Sequence, residues 1–168
     1  MDEFVVDTNV PLIARGKSHM SADCELICAQ FIEPFLRGRQ ILVIDDDFEL
    51  IGEYMGQIST SGPANYDNRF LKWLFENQGN PNRVKQVKIN HNITGSYAEI
   101  PASFTEFNID PSDLKFIAVA IANFGKAPIA EASDSKWIGW EKELSDLGIK
   151  VVFLCKQELA ETYRRKMR

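Results

Sequence analysis

The chain has 168 residues, enough for one compact domain that buries roughly two-thirds of its unfolded surface without a staple. Its 45% hydrophobic content is ordinary for a globular protein. A net charge of −5 excludes any overall attraction for nucleic acid or anionic membrane, so contact with a polyanion must come from local basic patches or from a metal.

In chain order, Phe4–Val6 is a short apolar run ending at Asp7, which suits a buried parallel strand. Asn9-Val10-Pro11 starts a new element, with proline in a first helical turn. Residues 21–36 have helical spacing, with Cys24, Ile27, Cys28, Phe31, Ile32 and Phe35 on one face and Gly38 placed to end the helix. Gln40–Ile44 is the second strand. Asp45-Asp46-Asp47 follows and can cap a helix running to Ile58. Residues 59–65 read as loop, and 68–77 as a short helix carrying Phe70, Leu71, Trp73, Leu74 and Phe75. Gly79-Asn80-Pro81-Asn82 breaks it, and 84–89 has weak strand character.

Asp110-Pro111-Ser112-Asp113 opens the clearest helix, with Asp110 as N-cap and Pro111 in the first helical position. That helix is apolar almost all round, as a central buried helix should be. Residues 128–132 form a short strand ending near Asp134, 137–147 a helix stopped by Gly148, 149–154 a strand, and 157 onward a C-terminal helix. Strands alternate with helices, which implies an α/β sandwich with a mainly parallel sheet, as a single domain over 1–168.

Cys24, Cys28 and Cys155 are odd in number and contain no Cys-x-x-Cys, which argues against a disulfide framework. With only His19 and His91 beside them, a zinc cluster is disfavoured and buried thiols are expected. The opening MDEFVVDTNV lacks signal-peptide character, and FIAVAIANF is too short to span a bilayer. The expectation is a soluble cytoplasmic protein without membrane contact.

In a parallel sheet, sites gather at the carboxyl ends of strands. Asp7 and Asp134 sit just past such ends, Asp113 in the first turn of the buried helix, and Glu53 on the helix after the second strand. Three of the acids also have a purely structural explanation, Asp113 as a helix N-terminal charge, Asp134 as a cap and Glu53 as a solvated residue, whereas Asp7, directly after Phe4-Val5-Val6 and before Thr8-Asn9, has little capping reason to be there. Together, four acids from four elements suit a hard divalent cation, which relieves their repulsion and activates water for phosphodiester hydrolysis. Arg83, Lys85 and Lys88, on a segment without acids, are the candidate RNA contacts, and the basic tail through Arg164, Arg165, Lys166 and Arg168 is a weaker one. The same lysines are explained by protection of a sheet edge, and the tail by a helix dipole.

FVVDTNV resembles the opening of PIN domains, in which a strand ends in the first catalytic Asp followed by Thr or Ser and Asn. DPSDLKFIAVAIA resembles the third-acid helix of that family, and ASDSKWIGWEKEL followed by GIKVVFL its fourth-acid loop and final αβ unit. The resemblance spans almost the whole chain. It implies a three-layer α/β/α sandwich and a metal-dependent endoribonuclease, a hydrolase needing Mg²⁺ or Mn²⁺. It assigns Asp7, Glu53, Asp113 and Asp134 as catalytic metal ligands, with Glu49 the alternative second acid. Thr8, Asn9 and Ser133 are implied to orient those acids, and Asp110 is an accessory ligand or a cap. Some relatives carry a further acid where this chain has Lys136. The family also implies an RNA substrate, frequent homodimers and, in many bacterial members, a toxin neutralised by an antitoxin protein.

Two other openings fit less well. ILVIDDDFEL looks like a receiver domain, but no acceptor Asp follows at the required distance. A dehalogenase-like phosphatase needs an acid where Asn9 stands. The non-enzymatic alternative is a PIN-like binding or scaffolding module acting through protein or RNA partners.

Overall fold

A computed structural model describes the backbone of residues 1–107 and 109–168, with side chains at 1–104 and 109–168. Five strands form one sheet: β1 (Glu3–Val6), β2 (Ile41–Asp45), β3 (Val84–Val87), β4 (Ile129–Glu131) and β5 (Val151–Phe153). Their order is β3-β2-β1-β4-β5, and every pairing is parallel. Glu3 stands opposite Ile41, Val5 opposite Ile129, Leu42 opposite Val84, and Ile129 opposite Val151. The apolar runs in β1, β2 and β4 are continuous because helices cover both sheet faces; Val5, Val6, Leu42, Val43, Ile44, Ile129 and Ala130 are fully buried. The result is the expected three-layer α/β/α sandwich. β3, weak in sequence, is an edge strand with only Val84 fully covered, and its Lys85 is half-covered.

The helices are α1 (Asn9–Ala14), α2 (Ala22–Leu36), α3 (Glu49–Gln57), α4 (Tyr66–Asn77), α5 (Pro111–Ala122), α6 (Lys136–Asp146) and α7 (Lys156–Lys166), with a 3₁₀ turn at Ala102–Phe107. α1, α2 and α4 pack as one group, α5 lies against β1, β2 and β4 beside α3, and α6 packs on β5 and α7. Phe35 on α2 joins Phe4, Phe70 and Trp73 edge-on, with ring centres 6.1–6.3 Å apart. Burying each such ring contributes about 2–3 kcal/mol. α2 ends where expected: the Gly38 N–H donates to Phe35 at 2.9 Å with φ +70°, a conformation that suits glycine. A side chain there would also collide with the Arg83 guanidinium, which lies over Gly38.

Caps explain three helix starts. Ser21 accepts the N–H of Cys24 at 3.1 Å, and Asp110 accepts that of Ser112 at 3.2 Å. Asp45, buried at the end of β2, accepts the N–H groups of Asp47, Glu49 and Leu50 at 2.8–3.1 Å and anchors α3. That partnership with a helix N-terminus is what permits a fully buried carboxylate there.

One expectation fails outright. Cys24 and Cys155 form a disulfide, with Cα atoms 5.5 Å apart and a separation of 131 positions in sequence. Reading the cysteines as three free buried thiols is therefore corrected; only Cys28 is free and buried. The expected cytoplasmic location is corrected with it, because thiol pools there keep such pairs reduced. Among the described residues, no helix is long and apolar enough to cross a membrane.

Candidate functional site

The strand order turns between β1 and β4, and in an open parallel sheet the crevice beyond that point is where ligands sit. Asp7 follows β1 directly and is 7% exposed; its Oδ1 accepts the Asn9 N–H at 3.0 Å. On the neighbouring strand, β4 ends in Glu131, which is fully buried. Oε1 of Glu131 accepts the N–H groups of Ala132, Ser133 and Asp134 at 2.9–3.1 Å and the side-chain amide of Asn9. Oδ1 of Asn9 in turn accepts the Ala132 N–H at 3.2 Å, so Asn9 ties the loop after β1 to the loop after β4.

The sequence reading passed over Glu131 and settled on Asp134, three residues on. An acid inside the apolar strand Ile129-Ala130-Glu131-Ala132 was the signal available.

Asp7 and Glu131 lie within hydrogen-bonding reach of each other. Two buried carboxyls in contact cannot both be charged cheaply. Burial, and then the Asp7 charge, hold Glu131 well above the usual carboxylate range. Burial raises Asp7 to about 6, opposed by the hydrogen bonds from Asn9 and Glu131 and reinforced by the charges of Asp134 and Glu53. Burial also lifts Asp113 to about 7, with the charges of Asp7 and Asp134 adding to it and Lys136 opposing. Asp7, Asp113 and Asp134 are thus close enough to repel one another.

Lysines answer that repulsion. Lys136 Nζ lies 3.4 Å from Asp134 and 3.9 Å from Asp113. Burial works against its charge, but Asp134 and Asp113 outweigh it and hold the ammonium above its ordinary value. Glu53 turns to α5, where one oxygen meets Lys115 Nζ at 2.9 Å and the other accepts from Gln57 at 2.8 Å. The alternative acid, Glu49, binds His91 at 3.0 Å and the Tyr97 hydroxyl at 3.0 Å, which pins the 91–97 segment to α3. Hydrogen bonding to Glu49 raises His91 above its ordinary value.

These placements correct the metal assignment. Mg²⁺ binds oxygen at 2.0–2.1 Å, so its ligand atoms lie at most about 4.2 Å apart. Among the described residues, the group of three or more potential ligands whose atoms come within 4.8 Å of one another is Cys24, Cys28 and Cys155, not a set drawn from Asp7, Glu53, Asp113 and Asp134. Among the described residues a carboxylate cage for Mg²⁺ or Mn²⁺ is absent, and two of the three sulfurs that do cluster are joined in a disulfide. The expected metal-dependent ribonuclease, its hydrolase chemistry, its Mg²⁺ or Mn²⁺ cofactor and the toxin role that would follow from RNA cleavage are overturned on that ground.

The remaining predicted residues fall as follows. Thr8 is buried, with no partner for its hydroxyl among the described residues. Ser133 contributes its N–H to Glu131. Asp110 caps α5 and is held below the usual range by its bonds from Ser112. Lys85 pairs with Glu3 at 3.2 Å, Arg83 lies on Gly38, and Lys88 is exposed. Tyr54, next to Glu53 on α3, is fully buried and donates to the Val6 carbonyl at 2.6 Å.

Compared with known proteins, the chain matches no family model, no curated protein and no solved structure.

Proposed function

We propose that the chain is a PIN-like binding or scaffolding module that acts through a macromolecular partner, with its acidic edge serving the fold. Lys136 carries this reading. It stands where the resemblance puts a further acid, and its ammonium meets both Asp113 and Asp134. With Lys115 on Glu53 and with burial and the Asp7 charge keeping Glu131 protonated, the edge has its charge balanced from within. The PIN-like part rests on the parallel order β3-β2-β1-β4-β5 and on Asp7, Asp113 and Asp134 meeting at its turning point.

A protein partner is favoured over RNA. The net charge of −5 repels a polyanion. Of the basic strip, Arg83 and Lys85 are engaged within the fold, which leaves Lys88. By contrast, Leu26 and Ile27 on α2, Met55 on α3 and Phe48 just before α3 are exposed. A second copy of the chain or a separate protein would cover such side chains. The test is incubation with single-stranded and structured RNA in Mn²⁺ or EDTA. RNA stays intact in both; Mn²⁺-dependent cleavage that disappears in Asp7→Asn would overturn the proposal.

A further inference from the structure

Cys24, Cys28 and Cys155 bring their sulfurs within 4.8 Å of one another in a buried cluster. We propose that this trio is a redox-gated zinc site: closed while Cys24 and Cys155 are joined, and able to bind one Zn²⁺ through three thiolates once they are reduced. Sulfurs bound to one Zn²⁺ at 2.3 Å lie about 3.8 Å apart, within the spread observed. Cys24 and Cys28 are one helical turn apart on the same face of α2, a fixed two-sulfur bite. Cys155 is the residue before α7, and Cys24 lies in the first turn of α2. The positive ends of those two helix starts favour the Cys24 and Cys155 thiolates, whereas burial pushes the Cys28 thiol, deeper in α2, up to about 12, so the metal must displace its proton.

The juxtaposition does not depend on the disulfide alone. Glu158, in the first turn of α7, accepts from the Ser21 N–H at 2.9 Å and the Ser21 hydroxyl at 2.7 Å, at the cap of α2. Those bonds hold the two helix starts together after reduction. A cavity of about 550 Å³ opens on Cys24 and Cys155 and is also lined by Asp23 and Glu158. It supplies an entry path and a fourth ligand, water or a carboxylate, to complete a tetrahedron. Charge selects a divalent ion. Three thiolates with Zn²⁺ leave one net negative charge, whereas a monovalent ion leaves two, beside the Glu25 charge that already acts on Cys28.

Opening the site consumes two equivalents of a small thiol. The Cys24–Cys155 bond breaks, its sulfurs leave as two thiols, and the reductant becomes its own disulfide. Zn²⁺ then displaces one proton from each of the three cysteines. α2 and α7 are cross-linked in either state, by sulfur–sulfur or by sulfur–zinc bonds.

The test uses the full chain, oxidised or reduced with a trialkylphosphine, titrated with Zn²⁺ by calorimetry and with Co²⁺ by absorption. Reduced protein should bind one Zn²⁺ per chain and give thiolate-to-cobalt absorption of three-sulfur intensity; oxidised protein should give neither. Cys28→Ala or Cys28→Ser, whichever keeps a cooperative melt when oxidised, should bind at least roughly a hundredfold more weakly, beyond the loss of an outer partner. Mass spectrometry of reduced wild type should find all three thiols shielded from alkylation by Zn²⁺. No binding by the reduced chain, equal affinity in the Cys28 variant, or shielding of two thiols or fewer would each overturn the proposal.

Discussion

The middle and one end of the same sheet edge deal with reactive side chains in opposite ways. At the middle, beyond β1 and β4, Asp7, Asp113, Asp134 and Glu131 repel one another and are quieted by Lys136, by backbone N–H groups and by shared protons. At the β5 end, Cys24, Cys28 and Cys155 converge tightly enough to bond covalently. Acids outnumber cysteines, yet the cysteines form the closer ligand set. Like charges keep carboxylates apart unless a cation draws them in, whereas neutral thiols pack as small apolar groups. The number of ligand-type residues in a sequence is therefore a poor guide to where a metal could bind.

Removing the covalent link should produce the largest change. The Cys24–Cys155 bond closes a loop of 131 positions, so Cys155→Ser should cost about 3–5 kcal/mol in urea unfolding of the oxidised protein. A loss below about 1 kcal/mol would mean that the bond closes nothing the fold needs. At the acidic end, Glu131→Ala strands the Ser133 and Asp134 N–H groups and the Asn9 amide, leaves Ala132 N–H only its bond to Asn9 Oδ1, and should cost about 2–4 kcal/mol. Glu131→Gln keeps an acceptor at that point and should cost much less. If both variants lose the same amount, the carboxyl is not acting as a hub for the loop.

A smaller effect reverses the usual expectation for an acid at the end of a strand. Burial raises Asp7 to about 6 and Asp113 to about 7, from 3.8 for each when unperturbed. The native chain then binds more protons than the unfolded one between about pH 4 and 7. Stability should fall as pH rises through that window and level off above it. Asp7→Asn removes part of this penalty and should stabilise the chain by roughly 1–3 kcal/mol at pH 8, with no gain at pH 4. Thermal melts across pH read both numbers, and destabilisation at pH 8 would show Asp7 to be favourably ionised.

The layout was largely legible in sequence because its marks are local. Apolar runs gave β1, β2 and β5, and Asp110-Pro111 with Asp113 marked the start of α5. β3 read weakly because an edge strand needs only one covered residue in two. The site was less legible, for a physical reason. Sequence places Glu53 at the right edge of the sheet, but side-chain rotation sends it to Lys115. Lys136 read as a missing acid, whereas its charge is what the neighbouring acids bind. The disulfide was invisible because Cys24 and Cys155 meet only when the last helix folds back on α2.

Thermal unfolding at pH 7 with millimolar Mn²⁺, against the same protein in EDTA, tests most directly that lysines and protons, not a metal, satisfy the acidic edge. A ligand present at a hundred times its Kd adds about 2.7 kcal/mol to stability, worth roughly 5–11 °C in a chain of this size. The account predicts the same melting temperature in both, for wild type and Asp7→Asn, in the disulfide-bonded form. A rise with Mn²⁺ in wild type that Asp7→Asn abolishes would contradict it.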